Sequence, residues 1–231
     1  MAKSTAFTGF SKDTIKFFDG LRKNNNKDWF EQHRDMYENS VMEPSKAFVL
    51  AMGARLRAIA PRIIAVPKVN KSLFRISRDT RFSLNKSPYK TNLGIYFWEG
   101  VRPRMECPGF YFHLEPPKMI LGAGFYVFPD RLLHLYRRAV VDPRMGKEIT
   151  KIIEEITRIK GGILGGQHYK RIPAGFDPSH PNARLLLHKG LHFGQETDIP
   201  KEFFSSRLVE YCFERYAPCA SLHRWLVKVF S

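Results

Sequence analysis

Apolar residues near the start of the chain recur at helical spacing. Ile15, Phe18 and Leu21 follow Ser11, a cap residue, and predict a first helix. "NNNKDWFEQHRDMYENSVMEP" predicts a second. An Asn caps it, Asp28 lies in its first turn, and Trp29, Phe30, His33, Met36 and Tyr37 fall on one face. Pro44 opens a third helix with Phe48, Met52, Leu56 and Ile59 as its inner stripe, and Pro61 lies just past its end.

The period then changes to two. Leu93, Ile95 and Phe97 alternate with Asn92, Gly94, Tyr96 and Trp98. Phe110, Phe112 and Leu114 alternate with Tyr111, His113 and Glu115, and "KMILGAGFYVF" follows the turn at Pro116-Pro117. Three such segments predict antiparallel strands, the last two joined as a hairpin across Glu115–Lys118. "KSLFRIS" is a candidate earlier strand.

Helical spacing returns at Asp130, read as the N-cap of "RLLHLYRRAVV", and again at Ile149, Ile152, Ile153 and Ile156. "KGGILGGQHY" breaks the pattern, and "PAGFDPSHPNARLLLHKGLHFG" reads as largely irregular. Two helices close the chain, one after Pro200 and one with Leu222, Trp225, Leu226 and Val229 facing inward. The sum is α+β: a central antiparallel β meander packed by N- and C-terminal helices. It forms a single domain over residues 1–231, with one weak candidate break near 161–166.

Composition changes this picture in one respect. The chain has 231 residues, 43% of them hydrophobic, enough for one well-filled core. Its formal net charge of +16 favours polyanions, phosphorylated ligands or an acidic partner protein. Cys107, Cys212 and Cys219 are odd in number and widely spaced, which reads as buried free thiols. No apolar run approaches the roughly 18 residues of a spanning helix, and "MAKSTAFTGFSKD" lacks the apolar stretch of an export signal. The expected setting is cytoplasmic, without membrane contact. "GAGFYV" and "GGILGGQ" lack the third glycine of a dinucleotide loop and the ending of a P-loop. The late histidines have no ligand spacing. No cofactor and no metal are expected.

The charge is densest in "FRISRDTRFSLNKSPYKTNLGIYF". Arg75, Arg78, Arg81, Lys86 and Lys90 surround one acid, Asp79, with Tyr89 alongside. Arginine forks bind phosphate or carboxylate bidentately, and a loop rich in Ser, Asp, Asn and Pro can aim several together. In the alternative, Asp79 pairs with one Arg and solvent accounts for the rest.

A second candidate is the strand face of Tyr96, Trp98, Tyr111, His113, Glu115 and Tyr126. His113 and Glu115, two apart, share a side, so the carboxylate can orient the imidazole for acid–base work, with Tyr111 near. In the alternative this is a half-buried face whose polar tips are satisfied locally.

Three functions follow. The leading one is binding of an anionic ligand, a phosphorylated small molecule or nucleic acid, through the basic loop. The second is an enzyme whose basic cluster holds phosphate or carboxylate while His113 and Glu115 move protons. The third is a scaffold for an acidic protein.

"NNNKDWF", "FRISRDTRFSLNKSPYKTNLGIYF", "GFYFHLEPPKMILGAGFYVF" and "RIPAGFDPSHPNARLLLHKG" occur in this order. Together they resemble the bacterial and fungal family known as domain of unknown function 2461, over nearly the whole chain. The R-D-T-R-F-S-x-x-K-S-P-Y-K-T pattern, Arg78 to Thr91 here, is its most specific part. The resemblance implies one compact intracellular domain and brings no catalytic residues with it.

Overall fold

A computed structural model describes residues 6–231. The fold is α+β, with helices before, between and after the strands of one antiparallel sheet. Helix α1 (Lys12–Lys23) starts where Ser11 N–H donates to Thr14 Oγ1 at 3.3 Å. Helix α2 (Lys27–Gln32) is capped by Asn26, whose side chain accepts from Trp29 N–H at 2.9 Å. The predicted second helix is not continuous. It breaks at His33, resumes as α3 (Arg34–Tyr37), and passes through a π turn, Glu38–Met42, into α4 (Glu43–Leu56). Pro44 therefore sits in the first turn of α4 but does not open it from a loop.

The meander stands as read: β1 (Leu93–Trp98), β2 (Gly109–Glu115) and β3 (Lys118–Phe125) pair antiparallel in sequence order. Two segments read as irregular extend it. The glycine stretch is β4 (Gly162–Gln167), and the Pro/Gly/His-rich region ends in an eleven-residue strand, β5 (His188–Asp198). The sheet order is β1-β2-β3-β5-β4. The candidate break at 161–166 is thus a strand of the same sheet. "KSLFRIS" contributes only single bridges, such as Leu73 to Ile95.

Helices α5 (Asp130–Val141) and α6 (Pro143–Ile156) link β3 to β4, and α7 (Leu208–Tyr216) and α8 (Ala220–Phe230) end the chain. Pro129, not Asp130, is the cap of α5. Asp130 is its first residue and pairs with Lys189 at 2.9 Å. No helix among the described residues is long and apolar enough to cross a membrane.

One face of the sheet carries the core. Phe112 packs against Phe48 of α4 at 5.0 Å between ring centres, Phe110 against Tyr216 of α7 at 5.2 Å, and Phe125 against Phe230 of α8 at 5.1 Å. Early and late helices therefore cover the same side. Fully buried aromatics such as Phe48, Phe110, Phe112 and Trp225 each bury a large apolar area there. The opposite face carries the alternate residues, among them Tyr111, His113, Gly122, His192 and Gly194. The three cysteines are free and buried.

Candidate functional site

The basic segment folds back on itself as a finger beside β1. Arg78 N–H donates to Pro88 C=O and Lys90 N–H to Ile76 C=O, both at 2.8 Å, while Ser77 bridges Tyr89. The base of the finger is clamped to α2. Tyr89 stacks on Phe30 with ring centres 4.3 Å apart. The Asn25 amide bonds the Tyr89 backbone twice, at 3.0 Å each way. Tyr89, expected beside the ligand, is instead the anchor of the finger.

The finger sorts its charges. Arg81 makes a bidentate pair with Asp79 at 3.0 and 2.7 Å, which holds that carboxyl below its ordinary range. Lys86 donates to Thr80 C=O at 3.1 Å. These two cations are used within the finger. Arg75, Arg78 and Lys90 make no such contact, and Arg104 joins them from the β1–β2 connection, with one guanidinium nitrogen donating to Lys71 C=O.

Burial lowers the Lys90 pKa, and the positive charges of Arg75, Arg104 and Arg78 lower it further. The Arg104 guanidinium lies 4.3 Å and the Lys90 ammonium 5.7 Å from the centre of the Phe74 ring. Among the described residues, no carboxylate oxygen lies within 4.0 Å of any of these four cations. Like charges gathered with no carboxylate in pairing contact lower one another's affinity for protons and raise the affinity for an anion.

Below the finger lies a shallow pocket of about 430 Å³ lined by Arg78, Asp79, Lys90, Thr91, Asn92 and Glu115. Glu115 connects it to the sheet. One of its oxygens accepts from Thr91 Oγ1 at 3.0 Å, and the other lies 3.5 Å from His113 Nε2. His113 Nδ1 is 2.9 Å from the Tyr111 hydroxyl. A neutral imidazole with its proton on Nε2 satisfies both neighbours. Burial lowers the His113 pKa, and Glu115 opposes that in part. Burial also pushes the Tyr111 hydroxyl up to about 12, so it remains a donor.

Gly94 makes room for this cluster. A Cβ there would lie 2.8 Å from the Tyr111 hydroxyl and 3.1 Å from the Phe74 ring.

The six residues expected on one strand face divide. Tyr96 donates to Cys107 C=O at 2.7 Å, and Trp98 is buried. Both are taken up locally near the β1–β2 connection. Glu115 lines the pocket, His113 and Tyr111 are linked to it in turn, and Tyr126 stands exposed farther along.

Phe74, Arg104, Thr91 and Asn92 complete the site and were not singled out from sequence. Arg104 belongs to the same basic stretch, but a full strand separates it from Lys90. Arg104 reaches Phe74, and so Lys90, from the β1–β2 connection.

No curated protein matches the chain. The family resemblance does hold, and with most of the chain covered, residues 13–225, the chain belongs to the family described as conserved hypothetical protein (DUF2461).

Proposed function

We propose that Arg75, Arg78, Lys90 and Arg104 bind an anionic, phosphorylated ligand, a class that includes nucleic acid. The observation that carries the reading is that Lys90 and Arg104 meet over Phe74, with Arg75 and Arg78 near enough to act on Lys90, and no carboxylate at pairing distance of any of the four. Arginine forks and one ammonium, partly withdrawn from water, suit a phosphoryl group. Three free thiols support a reducing, cytoplasmic setting.

Thermal unfolding in inorganic phosphate or pyrophosphate tests this, with sodium chloride at equal ionic strength as the control. Near a hundredfold excess over the dissociation constant, binding adds about 2.7 kcal/mol. For a chain of this size that is a rise of about 5–10 °C. Equal midpoints in phosphate and chloride would overturn the proposal.

A second reading, an enzyme, is favoured by one observation: Glu115, which lines the pocket, also contacts His113. Under it a bound phosphate ester is converted, and His113→Gln stops conversion while leaving binding. An ester bound and recovered intact removes this reading.

A further inference from the structure

We infer that the phosphorylated ligand is a single-stranded nucleic acid laid across the uncovered face of the sheet. This rests on the phosphate reading above and adds what holds the bases. Across β2, β3, β5 and β4, one row of that face reads Tyr111, Gly122, Gly194 and Ile163. Gly122 and Gly194 are direct neighbours. A Cβ on either would meet nothing closer than 3.7 Å, so the missing side chains leave a bare floor.

Aromatic groups stand on both sides of this floor. Tyr111 leans away from it, over Gly94, and touches Phe74 edge-on with ring centres 6.0 Å apart. On the other side His192 and Tyr126 are stacked, 5.2 Å apart and 13° from parallel, and Tyr126 is 71% exposed. A stack whose outer ring is bare can be continued by a base. The finger ends in a second such ring. Phe82 is 96% exposed, with the Arg81 guanidinium 5.9 Å from its centre. Phe82 and Tyr126 are the two most exposed aromatic residues among the large apolar side chains at the described surface.

The cationic cluster is attached to both flanks. The finger that carries Phe82 carries Arg78 and ends at Lys90, and Phe74 joins the cluster to Tyr111. A single strand needs rings for its bases and cations for its phosphates, and this face offers Phe82 and Tyr126 on either flank of the cluster of Arg75, Arg78, Lys90 and Arg104. The step from β2 to β5 is about 10 Å, two interstrand spacings. Open sheets of this width stack two or three bases.

Glu196 and Asp198 lie toward the Pro116 end of the face, with Lys118 bonded to Asp198 at 2.8 Å. The strand therefore follows the rows of Tyr111 and His192, away from those acids. A duplex keeps its base faces covered and gains nothing from Phe82 or Tyr126.

The test is fluorescence anisotropy with a labelled oligo(dT) of roughly ten nucleotides, at low salt and then across a salt series. The single strand should bind tighter than a duplex of equal length. Log affinity should fall with log salt at a slope of about −2 to −3, for three or four neutralised phosphates. Tyr126→Ala and Phe82→Ala should each weaken binding about fivefold or more with the slope unchanged. Both rings are exposed, so neither change should disturb the fold. Arg78→Gln should make the slope shallower by about 0.7.

Binding that ignores both aromatic changes overturns the inference and leaves bare charge as the cause. Retention on anionic lipid vesicles that depends on Phe82 and Leu84, with no oligonucleotide binding, also overturns it and assigns the finger to a lipid surface. If inorganic phosphate stabilises the protein while the oligonucleotide does not bind, this inference falls and the phosphate reading stands. If neither binds, both fall.

Discussion

The double variant Arg78→Gln/Lys90→Gln is expected to bind phosphate at least a hundredfold more weakly than the wild type, yet to unfold no earlier. A hydrogen bond to a charged group contributes about 1.5–3 kcal/mol, so losing two costs about 3–6 kcal/mol. At about 1.4 kcal/mol per factor of ten, that is a hundredfold or more.

Stability should move the other way. The folded state disfavours the charged form of Lys90, first through burial and then through Arg75, Arg104 and Arg78. Its folded pKa lies below the ordinary value of 10.5, so the unfolded chain holds the proton more tightly. The resulting penalty is fully present below the folded pKa. It is relieved as pH rises from there toward 10.5. A glutamine carries no such penalty at neutral pH.

A bound phosphate reverses the balance by favouring the charged ammonium. Affinity should therefore fall as pH rises through the depressed pKa of Lys90. Titration calorimetry gives the affinity and urea melts the stability. A variant that is less stable but still binds would mean that these cations serve the fold and not a ligand.

The largest loss of stability is expected from Glu99→Ala, away from the site. Glu99 follows β1 directly and accepts from His223 Nε2 of α8 at 3.0 Å. Arg62 approaches its other oxygen from the surface at 3.3 Å. Glu99 is only 6% exposed and His223 is wholly buried. Removing the carboxylate strands the imidazole in the core, which costs about 3–5 kcal/mol. At 2–4 °C per kcal/mol that lowers the unfolding midpoint by about 10 °C. Glu99→Gln keeps an acceptor and should lose less.

The pair also gives a pH signature. The hydrogen bond from His223 first, then its charge and Arg62, outweigh burial and lower the Glu99 pKa below its usual 4.5. Its stabilisation is therefore present above pH 4.5 and lost as pH falls through the folded value. The stability gap between wild type and Glu99→Gln should narrow in acid. A gap that stays constant down to the acid limit would show that Glu99 is not held as a carboxylate. Phosphate binding by the folded variant should be unchanged.

The three-strand meander was legible because Phe, Ile and Leu hold the core face of β1 and β2 at every second position, and Met119, Leu121, Ala123 and Phe125 that of β3. Strand β5 was hidden by its composition. Its core face has Leu191 and Phe193, then Gln195 and Thr197, while Gly190, His192 and Gly194 occupy the other. Nothing local marks such a run as a strand; pairing on both edges does. The glycines of β4 looked like a breaker for a related reason. A Cβ on Gly162 would meet the Phe193 ring at 1.9 Å, and one on Gly165 the His192 ring at 2.2 Å. They are small because neighbouring rings lie over them.

The site was legible to the same degree. Charge density pointed to Arg75, Arg78 and Lys90. It could not separate Arg81, which a nearby carboxylate claims, or show that Tyr89 turns toward Phe30. Arg104 and Phe74 enter only through tertiary geometry. The π turn after α3 adds a residue that no apolar period registers.

The most direct measurement is a crystal soaked in tungstate, a tetrahedral oxyanion located by its anomalous signal. A bound ion is expected within hydrogen-bonding distance of the Lys90 ammonium and of the Arg78 or Arg104 guanidinium. Ordered tungstate elsewhere on the protein, with none between these side chains, would contradict it.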